Sequence, residues 1–227
     1  VRCRGLGDEY KRRTSLFALP MDSGAAHRER GVMSDQQFEP PSIFDLRVRL
    51  RGDEPSMQSA ADSFDSRPFA EGILQTLVVQ TGTALRQLSV AEVVGLEWDI
   101  ESTWASAWAQ TRVLERPAEI DVIDASGVEI VYLLNEPLGA SFVPYLADVL
   151  TIHKHGALVS MPIEHSVIVH PIEGGEIVQA AQTMIPITRQ MYPTATASLT
   201  AHVYMWRNGA LTLVPPYCPL THRHFHP

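Results

Sequence analysis

Cysteine is scarce in this chain, as are long apolar runs and, over most of its length, cations. The two cysteines, Cys3 and Cys218, stand near opposite ends of the 227 residues. Two cysteines do not make the disulfide framework of a small secreted domain, and both are expected to be free thiols in poorly ordered tails. The longest apolar runs, such as Ile130 to Leu134 and Val167 to Val169, fall far short of the roughly 20 residues that a membrane-spanning helix needs. No membrane partner is therefore expected. Arg2, Arg4, Lys11, Arg12 and Arg13 make the start basic, without an apolar stretch that could serve as a signal-peptide core. Cytoplasmic residence follows as the default.

Cations are missing from the body in particular. Residues 57–215 hold seven Lys or Arg against seventeen Asp or Glu, a net of −10, whereas residues 1–32 hold seven basic and four acidic residues, a net of +3. Sequence-independent nucleic-acid binding needs a basic footprint that displaces phosphate counterions. The −10 body argues against that class. It is compatible with a basic protein partner, and the plainer reading of the charge is simple solubility.

Catalytic motifs are absent as well. No Gly-x-Ser-x-Gly elbow, no Gly-Lys-Ser or Gly-Lys-Thr phosphate loop and no His-Glu-x-x-His pair occurs. Gly5 and Gly7 precede no strand–helix unit. Gly174-Gly175 opens a helix whose free amides could meet an anion, but Glu173 and Glu176 crowd that end with negative charge, which makes it an ordinary turn. Asp121 with Asp124, and Glu97 with Asp99 and Glu101, fall on exposed positions of a strand and a helix start. Acids at a helix start favour the macrodipole without any catalytic role. No catalytic residue and no cofactor is expected.

Histidine is the one residue type left with metal chemistry. His222, His224 and His226 alternate, with Cys218 four residues upstream. Alternate imidazoles of an extended segment project to one side and could hold a divalent ion. That segment lies beyond the last strand and lacks groups to orient the rings, so adventitious binding or none is expected. His153, His155, His165, His170 and His202 lie in or beside the second half of the body. The alternative to a non-catalytic protein is a metal-dependent enzyme that uses His165, His170 and His202, brought together in space. The plainer expectation is a set of surface or strand-end histidines bonded to backbone.

What the sequence does contain is hairpin and helix pattern. Asn208-Gly209 between Leu199–Trp206 and Ala210–Val214 is a strong two-residue turn signal. Ala157–Met161 and Ser166–His170 make a second hairpin around Pro162–His165, and Glu119–Asp124 with Val128–Leu134 a third around Ala125–Gly127. Ile73–Gln80 reads as a strand, and Phe44–Leu50 alternates as an edge strand would. Ser89-Val-Ala-Glu92 has capping-box form and starts a short helix to Gly95. Asp99–Arg112 carries Ile100, Trp104, Ala107 and Trp108 on one helical stripe. Ser141 caps a helix over Val143–Leu150 after a loop at 135–140, and Glu176–Tyr192 is a long amphipathic helix.

The order of these elements resembles that of the YtpQ-like group of uncharacterised bacterial proteins. The likeness rests on Leu77-Val-Val-Gln80, Leu88–Gly95, the Trp104–Arg112 helix, Gly156–Pro162 and Val167–Ile172 with the helix after it, and covers Pro68 to Pro215. It has no diagnostic motif. It implies an α+β fold, non-catalytic by default, and no site residues.

The expected fold is α+β: a largely antiparallel sheet built from hairpins, with three or four helices packed on one face. The expected domains are a poorly ordered extension at 1–56, one α+β domain at 57–215 and a tail at 216–227. A chain starting on Val, with Met33-Ser-Asp-Gln-Gln further on, suggests that residues 1–32 either lie upstream of the natural start or form a disordered tail. The expected core is Leu77, Val79, Val93, Trp104, Trp108, Ile130, Leu133, Leu146, Leu158, Val167, Val169, Ile177, Met184, Val203, Leu211 and Leu213. Functionally this reads as a bacterial protein-interaction module with an acidic surface, of the immunity-protein or secretion-chaperone-like kind. Homo-oligomer contacts through a strand edge are a third reading.

Overall fold

The computed structural model describes residues 41–53, 66–81, 84–88, 90–192 and 197–215. Cys3, Cys218, Ser89, the 1–32 extension and the His222–His226 run lie outside them. The described residues belong to one compact unit, Pro40–Pro227.

Two antiparallel sheets form the body. The first contains β1 (Leu46–Gly52), β2 (Arg67–Ala70), β3 (Ile73–Thr81) and β4 (Ala84–Gln87). β3 is its spine, with β1 along one side, β2 on its first half and β4 on its second. The second sheet has the order β10-β9-β7-β8-β6-β5, from β5 (Glu119–Asp124), β6 (Glu129–Leu134), β7 (Ala157–Ser160), β8 (Ser166–Pro171), β9 (Val203–Arg207) and β10 (Ala210–Leu213). The helices are α1 (Val90–Gly95), α2 (Ile100–Leu114) and α3 (Ile177–Met191), with 3-10 segments at Ile43–Asp45 and Gly139–Asp148. The fold is α+β and antiparallel, as the hairpin pattern implies.

All three expected hairpins form. In the last, Asn208 (φ 50°) and Gly209 (φ 85°) both take positive φ, as a type I′ turn requires, and Arg207 pairs with Ala210. Ser126 (φ 61°) and Gly127 (φ 79°) do the same between β5 and β6.

The antiparallel strands divide between two sheets, and the larger is covered on both faces. β7 and β8 are buried on both faces, so each face needs its own cover. On one side Leu158, Ile168 and Val203 pack with Ala180, Ala181, Met184 and Met191 of α3. On the other, Val159, Val167, Val169, Tyr204 and Trp206 share a core with Leu46, Leu50, Leu77, Val79, Trp104 and Ala107 from the first sheet and α2. Most of the expected core is buried. Trp108, Ile177, Leu211 and Leu213 are only half-buried, because each sits at the margin of its cluster.

The body also begins earlier than residue 57. Leu46, Val48 and Leu50 of β1 are buried and pair with Leu77 and its neighbours. Phe44–Leu50 was expected as an edge strand, and β1 does pair on one side only, but its open side is covered. Val48 N–H donates to Thr111 Oγ1 of α2 (2.8 Å), and Leu50 N–H to Ser141 Oγ (3.2 Å). Ser141 therefore serves β1 and caps no helix. The segment around it is a kinked 3-10 run that starts at Gly139 and carries Pro144 inside. Asp99 caps α2 by accepting from Ser102 N–H at 2.8 Å.

Candidate functional site

The three histidines of the metal-centre alternative do not form one. His165 sits in the β7–β8 turn and His170 at the far end of β8. Five residues of extended chain separate them by about 17 Å. His202 lies just before β9, whose Val203 pairs with Ser160, which places it toward the His165 end. Among the described residues no group of three His, Cys, Asp or Glu could hold a metal ion. Strand ends can converge, which is what the alternative needs, but two of the three histidines stand at opposite ends of one strand.

Each histidine has a local role instead. His170 is buried (5% exposed), and its Nδ1 lies 2.7 Å from the Glu129 carbonyl. Its Nε2 faces Glu176 Oε1 at 4.0 Å. That carboxylate turns back to accept from the N–H groups of Glu173 (3.0 Å) and Gly174 (2.9 Å), and the backbone amides of Glu176 itself, Gly174 and Glu173 hold its pKa below the ordinary carboxylate range. The α3 start is thus occupied by its own acid. His202 is exposed, and its N–H donates to Thr200 Oγ1. The His165 carbonyl accepts from Asn135 N–H.

Charged residues divide into paired and open groups. Arg49 holds Glu164 in a two-pronged pair at 2.8–3.1 Å, tying β1 to the β7–β8 turn. Arg47 (6% exposed) and Glu115 (4%) form a buried pair at 3.9 Å. Burial pushes the Glu115 carboxyl up, an effect that Arg47 opposes. Arg67 pairs with Glu101, Arg86 with Glu92 and Arg112 with Asp148.

The β5–β6 hairpin is different. Residues 117–153 contain six Asp or Glu and no Lys or Arg. Glu119, Asp124 and Glu129 are exposed, and the one bond of the three carboxylates that concerns the turn is Asp124 Oδ1 accepting from Gly127 N–H (2.7 Å). β5 is also the last strand of its sheet. Ala125 and Val128 exchange N–H···O bonds in both directions. Bonded pairs recur at every second residue, so Asp121 and Ile123 face β6 while Ile120, Val122 and Asp124 turn their N–H and C=O groups outward. Ile120 (45%) and Val122 (60%) are large apolar residues left in solvent.

Sequence reasoning found this strand but not its position at the rim. No local signal marks the rim, because alternation would assign Ile120 and Val122 to a covered face and the structure leaves both exposed.

No protein-family model, no curated protein and no solved structure matches the chain.

Proposed function

We propose that this is a non-catalytic bacterial protein-interaction module, cytoplasmic, whose acidic surface meets a basic protein partner, as an immunity protein or a secretion chaperone does. The observation that carries the reading is the run from residue 117 to 153, which has six acids and no Lys or Arg and whose hairpin exposes Glu119, Asp124 and Glu129. Arg side chains answer several other acids, Asp148 of the same run among them through Arg112, and leave the hairpin carboxylates Glu119, Asp124 and Glu129 in solvent. Like-signed exposed charge speeds encounter with an oppositely charged partner, and the attraction fades as salt screens it. Among the described residues no helix is long and apolar enough to cross a membrane, which fits a partner met in water.

The test is capture from the native cell by the full chain at low and high salt, followed by purification of the bound protein. A basic partner whose affinity falls as salt rises is the expected result. Failure to recover any salt-sensitive partner counts against the reading.

A further inference from the structure

We infer that the open edge of β5 binds an extended segment of a partner protein, in which basic and apolar residues alternate, as an added strand. The inference rests on the interaction-module reading and specifies the surface and the partner's conformation.

Three observations meet at this edge. The first is backbone. Ile120 and Val122 turn their N–H and C=O groups away from the sheet, as the paired bonds between Ala125 and Val128 require. An incoming strand finds a ready ladder there. The comparable open side of β1 is closed, with Val48 N–H given to Thr111 and Leu50 N–H to Ser141. β10, at the other end of the six-stranded sheet, packs beside β2. Among the described residues nothing equivalent engages the outward groups of Ile120 and Val122.

The second is side-chain chemistry. Ile120 and Val122 lie on one face of β5, both exposed, and offer an apolar shelf to alternate residues of an added strand. The third is charge. Glu119 and Asp124 sit at the two ends of that strand, with Glu129 paired across from Asp124. Cations that alternate with the apolar residues of the incoming strand fall on the opposite face, beside Glu119 and Asp121, and opposite charges on adjacent strands attract while like charges repel.

Charge also decides among occupants. A second copy of this chain pairing through β5 would bring Glu119 and Asp124 against the same acids, with no Lys or Arg between residues 117 and 153 to offset them. A nucleic-acid backbone would meet the same repulsion. A basic extended segment does not.

The experiment uses the full chain and dye-labelled peptides of roughly eight residues, one alternating Lys and Val and one alternating Glu and Val. Binding is read by fluorescence anisotropy at about 0.05 M and about 0.5 M salt. The Lys–Val peptide should bind, and should weaken by roughly tenfold at the higher salt. Val122→Pro removes an outward N–H that the sheet's own ladder does not use, which an edge strand tolerates, and should weaken binding by at least about tenfold. Should that variant fail to fold, Glu119→Lys with Glu129→Lys leaves the backbone intact and should reverse the preference toward the Glu–Val peptide. Equal binding of both peptides, or undiminished binding by folded Val122→Pro, overturns the inference. So does a dimer in light scattering that Val122→Pro dissolves. If the natural partner is salt-sensitive yet binds Val122→Pro unchanged, the module reading stands and the β5 edge is wrong.

Discussion

Thr111 does two jobs with one oxygen. Its hydroxyl donates to the Ala107 carbonyl (2.8 Å) and accepts from Val48 N–H (2.8 Å), in a fully buried position. The bond to Ala107 is the ordinary back-bond of a helical threonine, and the bond from Val48 is what lets an edge strand be buried. Thr111→Val keeps the shape and leaves the Val48 N–H without an acceptor. Loss of a buried partner costs about 1–3 kcal/mol, and chemical denaturation should show a drop of that size. Thr111→Ser, which keeps the oxygen, should recover most of it. A Thr111→Val protein as stable as the parent would mean that β1 is held by packing alone. Nothing in the local sequence announces this role. Threonine near the end of a helix is common, and its partner lies 63 residues away.

Elements built from neighbouring residues were legible, and those that depend on distant ones were not. The Asn208-Gly209 turn needs no context, because both residues tolerate positive φ and the turn twists the way its strands do. Gly209→Ala should therefore cost about 1–2 kcal/mol, the penalty for a Cβ in left-handed backbone. The Pro144 carbonyl, 3.1 Å from where that Cβ would stand, leaves little room for relief. Thermal melts would register it, and an unchanged melting temperature would contradict the turn assignment. By contrast β2 and β4 are four residues each, with mixed burial, too short for alternation to show. The 3-10 run Gly139–Asp148 reads as a helix from sequence. In the fold its shape follows Pro144, the Trp206 Nε1–H donated to the Val143 carbonyl (2.8 Å), and the close approach of Gly139 to the His165 carbonyl. The β7–β8 hairpin was legible as a pair of strands. That both of its faces are covered was not, since continuous burial looks alike in a strand whichever layers enclose it.

At the scale of the whole molecule, charge sets the pH response. Ser102 N–H lowers the Asp99 carboxyl, Arg67 lowers Glu101, Arg112 lowers Asp148, and the amides at the α3 start lower Glu176. A carboxyl whose folded pKa lies below its unfolded value contributes stability that is present above about pH 4 and is lost as pH falls through the folded pKa. Glu115 runs the other way. Its raised pKa gives a contribution that is fully present below the unfolded value and is lost as pH rises through the folded one. Glu115 is protonated in both states at that end of the scale and no longer changes the balance, so the melting temperature should fall on acidification below about pH 4. Between there and neutrality Glu115 should leave a shallow decline with rising pH, which Glu115→Gln should flatten. A melting temperature that rises on acidification throughout would show the sign to be wrong.

Hairpins, the two long helices, the α+β class and most of the buried residues came from local pattern, because turn geometry and periodicity are properties of short stretches of chain. The identity of the rim strands came from elsewhere. β6 pairs with β8 and β7 with β9, pairings between segments far apart in the chain whose burial pattern is the same for several possible orders. Only the packed sheet places Glu119–Asp124 at the border and His165 and His170 at opposite ends of one strand. An edge is defined by the neighbour that is not there, and a linear pattern of residues does not carry that.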